Sequence, residues 1–271
     1  MLTDQATAKA GMGTRTLTPA QQAMVRRVGL VGAALAILAV CVFFHVYRLG
    51  TTPGWDPQEG YNLDIAWNLL HGRLRLFALT SAFAQHPPLF YLQLALAIHI
   101  FGYGITAVRA LAALYAILTC AALIVFGRRI LGIGPALWAA LAYTAAPIIL
   151  TNTRWGYSYA QLAFVGPLCL WAAWRYEETH DRRWLLIAAA LAGLAAFSDY
   201  AGIAWVVFVA LLALRKGWRE STLAAGIGLG ILAVGLLACF AAAPGIFIAD
   251  VTTTFGRAAG GNLIVQGVKL L

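Results

Sequence analysis

"RRVGLVGAALAILAVCVFFHV", residues 26–46, opens on two arginines and then carries no Asp, Glu, Lys or Arg through Val46. A helix needs roughly 20 such residues to cross a bilayer. The run resembles the core of a secretory signal, but it is too long and leads into "FFHVYRLG" (43–50), which offers no small-residue cleavage site. It therefore reads as a retained first span. Similar apolar runs recur along the chain, which is 62% hydrophobic and 11% charged, with a mean hydropathy of +0.79. In lipid every backbone polar group must be paired internally, and long runs without alternation suit helices rather than a barrel. The expected fold class is an all-α polytopic membrane protein with about seven transmembrane helices.

The net charge of +9 over 271 residues would suit nucleic acid in a soluble chain. In a membrane chain it marks cytoplasmic loops, and no nucleic-acid partner is expected. Residues 1–24, polar and rich in Ala, Thr and Gln, read as a disordered cytoplasmic N-terminus. Residues 25–250 read as the transmembrane module, with an outer loop at 50–105, and 251–271 as a further outer segment. Span 1 (28–49) leads outward and places Trp55–Gln85 on the extracytoplasmic side. Keeping Arg128 and Arg129 inside requires 87–101 to be a helix at the outer surface, broken at "FGYG" (101–104), and 106–127 to be span 2. Span 3 (135–151), the outer loop "TNTRWGYSYA" (151–160) and span 4 (160–176) follow. The basic clusters "RYEETHDRR" (175–183) and "RKGWRE" (215–220) both belong inside, so two short helices hinged at "SDYAG" (198–202) connect them. Span 7 (222–243) exits before Pro244. The four cysteines, all within apolar runs, read as small buried hydrophobes rather than a disulfide framework or metal site.

Scarce acids collect just after span 1. "WDPQEGYNLDIAWNLLHG" (55–72) holds Asp56, Glu59 and Asp64, and Glu59–Leu70 suits a short surface helix with Tyr61, Ile65 and Leu69 on one side and Asp64 and Asn68 near the other. In "HPPLFY" (86–91) two prolines suit the first turn of a helix starting at Pro87, leaving His86 at its N-terminal end. Arg109 and Arg154 reach the same outer side, with Asp199 near it. Asp64, Arg73 and Arg75 read as solvated loop charges. Glu59 and His86 read either as structural hydrogen-bonders or as functional groups. No H-x-x-x-H, C-x-x-C, G-x-G-x-x-G, P-loop or G-x-S-x-G pattern is present.

In order and spacing, "PQEGYNLDIAWNLLHG" (57–72), "HPPLFYLQLALAIHIFG" (86–102) and "AVR" (107–109) resemble the integral-membrane glycosyltransferases of the GT-C fold. The nearest branches are the bacterial protein O-mannosyltransferase-like and lipid A aminoarabinose transferase-like enzymes, and the resemblance covers about residues 28–250, their seven-span module with paired juxtamembrane helices. It implies transfer of a sugar from a polyprenyl-phosphate donor to a protein, lipid or glycan acceptor on the extracytoplasmic face of a bacterial inner membrane. On that resemblance Glu59 is the general base or acceptor-orienting acid, with Asp56 a second candidate. His86, Arg109 and Arg154 are donor-phosphate partners, Arg109 being equally suited to a structural role. Tyr61, Tyr157, Tyr159 and Gln161 are acceptor or sugar contacts.

Such residue types fit the chemistry. A carboxylate assists an attacking hydroxyl, and a cation meets the charge on a departing phosphate. The chain departs from the family in carrying Gln58-Glu59 for Asp-Glu, and in having no acid in "TRWGYSYAQLAF" (153–164). Both departures weaken a two-carboxylate or metal-bridged mechanism, so no metal site and no cofactor are assigned. The chain ends at "GNLIVQGVKLL" (261–271) while full family members continue, which suits a truncated product or one half of a split enzyme. Two other readings remain: a transporter of a lipid-linked sugar, and a non-catalytic subunit working with a second membrane protein.

Overall fold

The computed structural model describes residues 18–73, 87–249 and 251–252. His86, Arg75 and the last outer segment beyond 252 lie outside the described residues. Within them the chain is helical throughout, with no strand. The first helix, α1 (Pro19–Val46), begins where Thr18 and Gln21 form a reciprocal capping box and Pro19 supplies a preset first φ. After it come α2 (Pro57–Leu70), α3 (Leu89–Phe101) and α4 (Ile105–Ile130). The break expected at 101–104 is present: Gly102 turns the chain at φ 82, a left-handed value open to glycine.

The expected third span is bent. α5 (Ile133–Ala145) and α6 (Pro147–Arg154) meet at 64°. Pro147 has no N–H to continue the ladder of α5 and instead starts α6, which carries the helix through Arg154 into what the sequence suggested was loop. α7 (Tyr159–Thr179) contains Pro167, and α8 (Arg182–Ser198) and α9 (Ile203–Leu214) flank a single 3₁₀ turn at Tyr200–Gly202. α10 (Trp218–Ala242) completes the bundle. Three helices, α1, α4 and α10, are long and apolar enough to cross a membrane on length and composition, and the bent α5–α6 pair makes up to four. The protein is an integral membrane protein; seven crossings remain an expectation.

α4 lies between α1, α3, α5 and α7, while α7, α8, α9 and α10 form a second layer. Contacts in that layer are made by small side chains. A Cβ on Gly235 would lie 2.1 Å from the Phe197 ring, and one on Gly193 2.9 Å from the Gly228 carbonyl oxygen. Close backbone approach of this kind is how helices associate where lipid offers no hydrophobic drive between them.

The bundle has two chemically distinct ends. At one, Arg182 Nε donates to Glu220 (3.0 Å) and Lys216 pairs with Glu177 (2.9 Å). At the other, the C-terminal end of α1, α2, the start of α4, the α6–α7 connection and Asp199 come together.

Candidate active site

The second end is organised by α2. Asp56 is its N-cap, accepting from the Gln58 N–H at 2.8 Å, Pro57 occupies the first turn, and the Glu59 carboxylate reaches back to the Asp56 N–H at 3.3 Å. D-P-x-E is thus a capping box, and the helix begins two residues earlier than Glu59. Its buried face is Glu59, Asn62, Leu63, Ile65 and Ala66. Tyr61, expected beside Ile65, is instead 44% exposed, because α3 and α4 cover the face one residue further round.

Glu59 is sealed. It is 1% exposed and forms a two-pronged ion pair with Arg109, itself 1% exposed: Nε donates to Oε1 at 2.8 Å and Nη2 to Oε2 at 2.7 Å. The Gly156 N–H also donates to Oε1 at 3.0 Å. With the Asp56 N–H, the carboxylate accepts four hydrogen bonds, which matches its lone-pair sites. Arg109 is equally committed. Its remaining donors go to the carbonyls of Leu49 (3.2 Å), Pro53 (2.9 Å) and Gly54 (3.0 Å), so all five N–H groups are taken.

Gly156 joins the lock from the α6–α7 connection. Besides its bond to Glu59, its carbonyl accepts from Asn62 Nδ2 at 3.0 Å, and a Cβ there would lie 1.7 Å from a Val108 methyl. No side chain fits between α2 and α4 at that point. Neither Gly156 nor Asn62 stood out in the sequence.

Arg154 performs a different task. Its Nη2 donates to the carbonyls of Tyr47 (2.6 Å) and Thr52 (2.6 Å), Nε to Thr52 (3.1 Å) and Nη1 to Phe44. It thereby satisfies acceptors that the end of α1 leaves open. Arg109 therefore has no N–H left for a ligand, and Arg154 keeps only one, on Nη1.

Of the two candidate catalytic acids, Asp56 is the one that remains partly exposed, and Asp64 further along α2 is exposed, as expected of a solvated charge. Tyr157, itself buried, lies close to Asp56. Burial, together with the nearby carboxylates of Asp56 and Glu59, pushes the Tyr157 phenol well above its ordinary range, so it stays protonated. Tyr157 packs at a tilt against Trp155 (5.6 Å between centroids) and meets Tyr159 edge-on (5.8 Å). Trp155 donates to the Gly54 carbonyl at 3.3 Å, and Trp55 stays 67% exposed beside Gly60. Asp56 therefore has an aromatic wall on one side and open space on the other.

Gln161 lies deeper, 5% exposed, accepting from Ser198, while Ser158 donates to Asp199 at 2.6 Å. Asp199, only 4% exposed, caps the turn at Tyr200–Gly202. Arg48, to which the sequence assigned no role, is exposed at this end with its guanidinium over the Tyr47 ring (5.6 Å). No group of three or more His, Cys, Asp or Glu among the described residues could hold a metal ion.

The fold has solved counterparts. ArnT from Cupriavidus metallidurans bound to undecaprenyl phosphate superposes with a TM-score of 0.60 and 21% identity, covering 82% of this chain and 42% of ArnT. The same enzyme in the apo state gives 0.61 and 20%, covering 83% and 43%. The chain thus spans about two fifths of the length of those structures, and at this identity the likeness is one of fold. No curated protein sequence matches the chain. A family model described as dolichyl-phosphate-mannose-protein mannosyltransferase matches residues 85–244, from the segment before α3 to the end of α10 and over more than half of the 271 residues. The chain belongs to the dolichyl-phosphate-mannose-protein mannosyltransferase family.

Proposed function

We propose that the protein is a membrane glycosyltransferase that moves a sugar from a polyprenyl-phosphate donor to a hydroxyl acceptor at the end of the bundle holding Asp56. The observation that carries this reading is the division of labour between the two acids. Glu59 has every acceptor site filled by Arg109, Gly156 and Asp56, whereas Asp56 keeps a partly exposed carboxylate beside a protonated Tyr157. In this reading Asp56 takes the proton from the acceptor hydroxyl. A new C–O bond then forms at the anomeric carbon as the sugar–phosphate bond breaks, and the lipid phosphate departs with its negative charge.

That charge needs a cation. Arg109 has no donor left and Arg154 keeps one, so the reading assigns the phosphate to exposed Arg48 and, on the family resemblance, to His86, while Arg109 and Arg154 hold the backbone around the site. Tyr157, Tyr159 and exposed Tyr61 offer ring faces and hydroxyls to the sugar or acceptor. The family's name and the undecaprenyl phosphate bound by ArnT support a polyprenyl-linked donor.

The reading places Asp56 outside a bacterial inner membrane and the Arg182–Glu220 end in the cytoplasm, as the basic clusters at 175–183 and 215–220 prefer. A Tyr61→Cys protein in intact cells should react with an impermeant thiol reagent, and His180→Cys should not. The opposite labelling pattern would invert the topology. The activity itself is tested by supplying membranes containing the protein with radiolabelled polyprenyl-phosphate mannose or aminoarabinose and following label into protein, lipid and glycan fractions. Protein-dependent transfer is expected from a lipid-linked donor and not from a nucleotide sugar. A protein that transfers from neither is a non-catalytic subunit, the reading that its engaged arginines would then favour.

A further inference from the structure

Far from Asp56, at the Arg182–Glu220 end, a cavity of about 510 Å³ opens between α5 and α9 over a floor made by α4 and α7. Its volume falls within the ~300–1,000 Å³ common for ligand sites. Small side chains make the room: Ala136 and Ala139 on α5, and Gly127 on α4. The floor and far wall are Phe126, Leu170, Phe208 and Leu212, and Pro167 in α7 also borders the space. The lining changes character at one point, where Glu177 and Arg215 stand together.

The charge on that polar rim points to one kind of occupant. Glu177 gives Oε2 to Lys216. Beside it is a surplus of positive charge: Arg128, Arg129, Arg183, Arg215 and Arg219 have no carboxylate partner among the described residues, while Arg175, Arg182 and Lys216 are paired. Arg215 lines the cavity, and Arg128 and Arg129 lie between the lining residues Gly127 and Ile130. An apolar slot with a cationic rim matches an acyl chain under an anionic headgroup.

We propose that this groove is a binding site for a phosphatidylglycerol-type phospholipid of the adjacent leaflet. One acyl chain fills the slot, and the phosphate faces Arg215 and Arg128. Each basic residue near a membrane surface is worth about 1 kcal/mol toward an anionic lipid. Two such contacts correspond to a preference of roughly thirtyfold over a zwitterionic lipid. The site is independent of the proposed transfer reaction and can be read without it.

The experiment is native mass spectrometry of the detergent-solubilised full chain titrated with phosphatidylglycerol or phosphatidylcholine of identical acyl chains. Phosphatidylglycerol should bind at least tenfold more tightly. Arg215→Gln, on an exposed side chain, should remove most of that preference while leaving the melting temperature unchanged. Ala139→Trp should remove binding of either lipid by filling the slot, and Ala139→Leu serves the same purpose if the larger ring unfolds the protein. Equal binding of the two lipids would overturn the headgroup assignment, and undiminished binding to both Ala139 variants would overturn the groove. Displacement of phosphatidylglycerol by an equal concentration of undecaprenyl phosphate would give the slot to a polyprenyl chain and overturn the proposal.

Discussion

Glu59→Gln is expected to cost the protein about 3–5 kcal/mol of stability, the usual result of breaking a buried ion pair from one side. The amide oxygen of Gln can still accept from Arg109 Nε or the Gly156 N–H. Its NH₂ group, however, would face Arg109 Nη2 and the Asp56 N–H, donor against donor, where Glu59 Oε2 now accepts both. Arg109 would be left charged at 1% exposure with no carboxylate. Chemical denaturation in detergent should show the loss, and protein level in membranes should fall with it. Arg109→Met should lose a similar amount and should also free the carbonyls of Leu49, Pro53 and Gly54. Because each single change already breaks the shared pair, the double variant should lose clearly less than the sum of the two. Strictly additive losses, or a Glu59→Gln protein as stable as the parent, would mean the pair does not form.

Asp56→Asn should do the reverse, leaving the protein folded and nearly abolishing sugar transfer. Asn is about as good an N-cap as Asp, so α2 keeps its start, and the Asn oxygen can still accept from the Gln58 N–H. It cannot accept a proton. General-base contributions are typically about 10²–10⁴-fold in rate, and a loss of that size at unchanged melting temperature is the expected signature. Transfer by Asp56→Asn within a few-fold of the parent would remove Asp56 from the chemistry. Activity lost in proportion to folded protein would make it a cap and nothing more. Running both acids through the same two measurements separates a group that holds the site from one that acts in it.

The helical class was legible because lipid leaves the backbone so few options, and the break at 101–104 because two glycines interrupt an apolar run. The hinge at 198–202 was legible from "SDYAG", but its chemistry was not: Asp199, which could have been a solvated tip, is buried against Ser158. The bend at Pro147 was not legible, since a proline inside an apolar run can begin a helix as well as interrupt one. What composition and spacing could not show was pairing over distance. The Glu59–Arg109 contact joins positions 50 apart and the Gly156–Glu59 contact positions 97 apart, and only packing decides that they meet. Two arginines and an acid therefore resembled ligand-binding groups in one dimension, and in three dimensions they spend their hydrogen bonds on the protein itself.

The Arg154 cap on α1 also imposes an order on assembly. α1 is only 11% buried over its apolar window and presents most of its length to lipid. The carbonyls of Phe44, Tyr47 and Thr52 receive their donor from a residue 102 to 110 positions later. A ribosome delivers those positions in sequence, so the first helix must wait in the bilayer, its end satisfied by water, until α5 and α6 have followed. A helix delivered well before its cap is thus fastened in place only after that cap arrives.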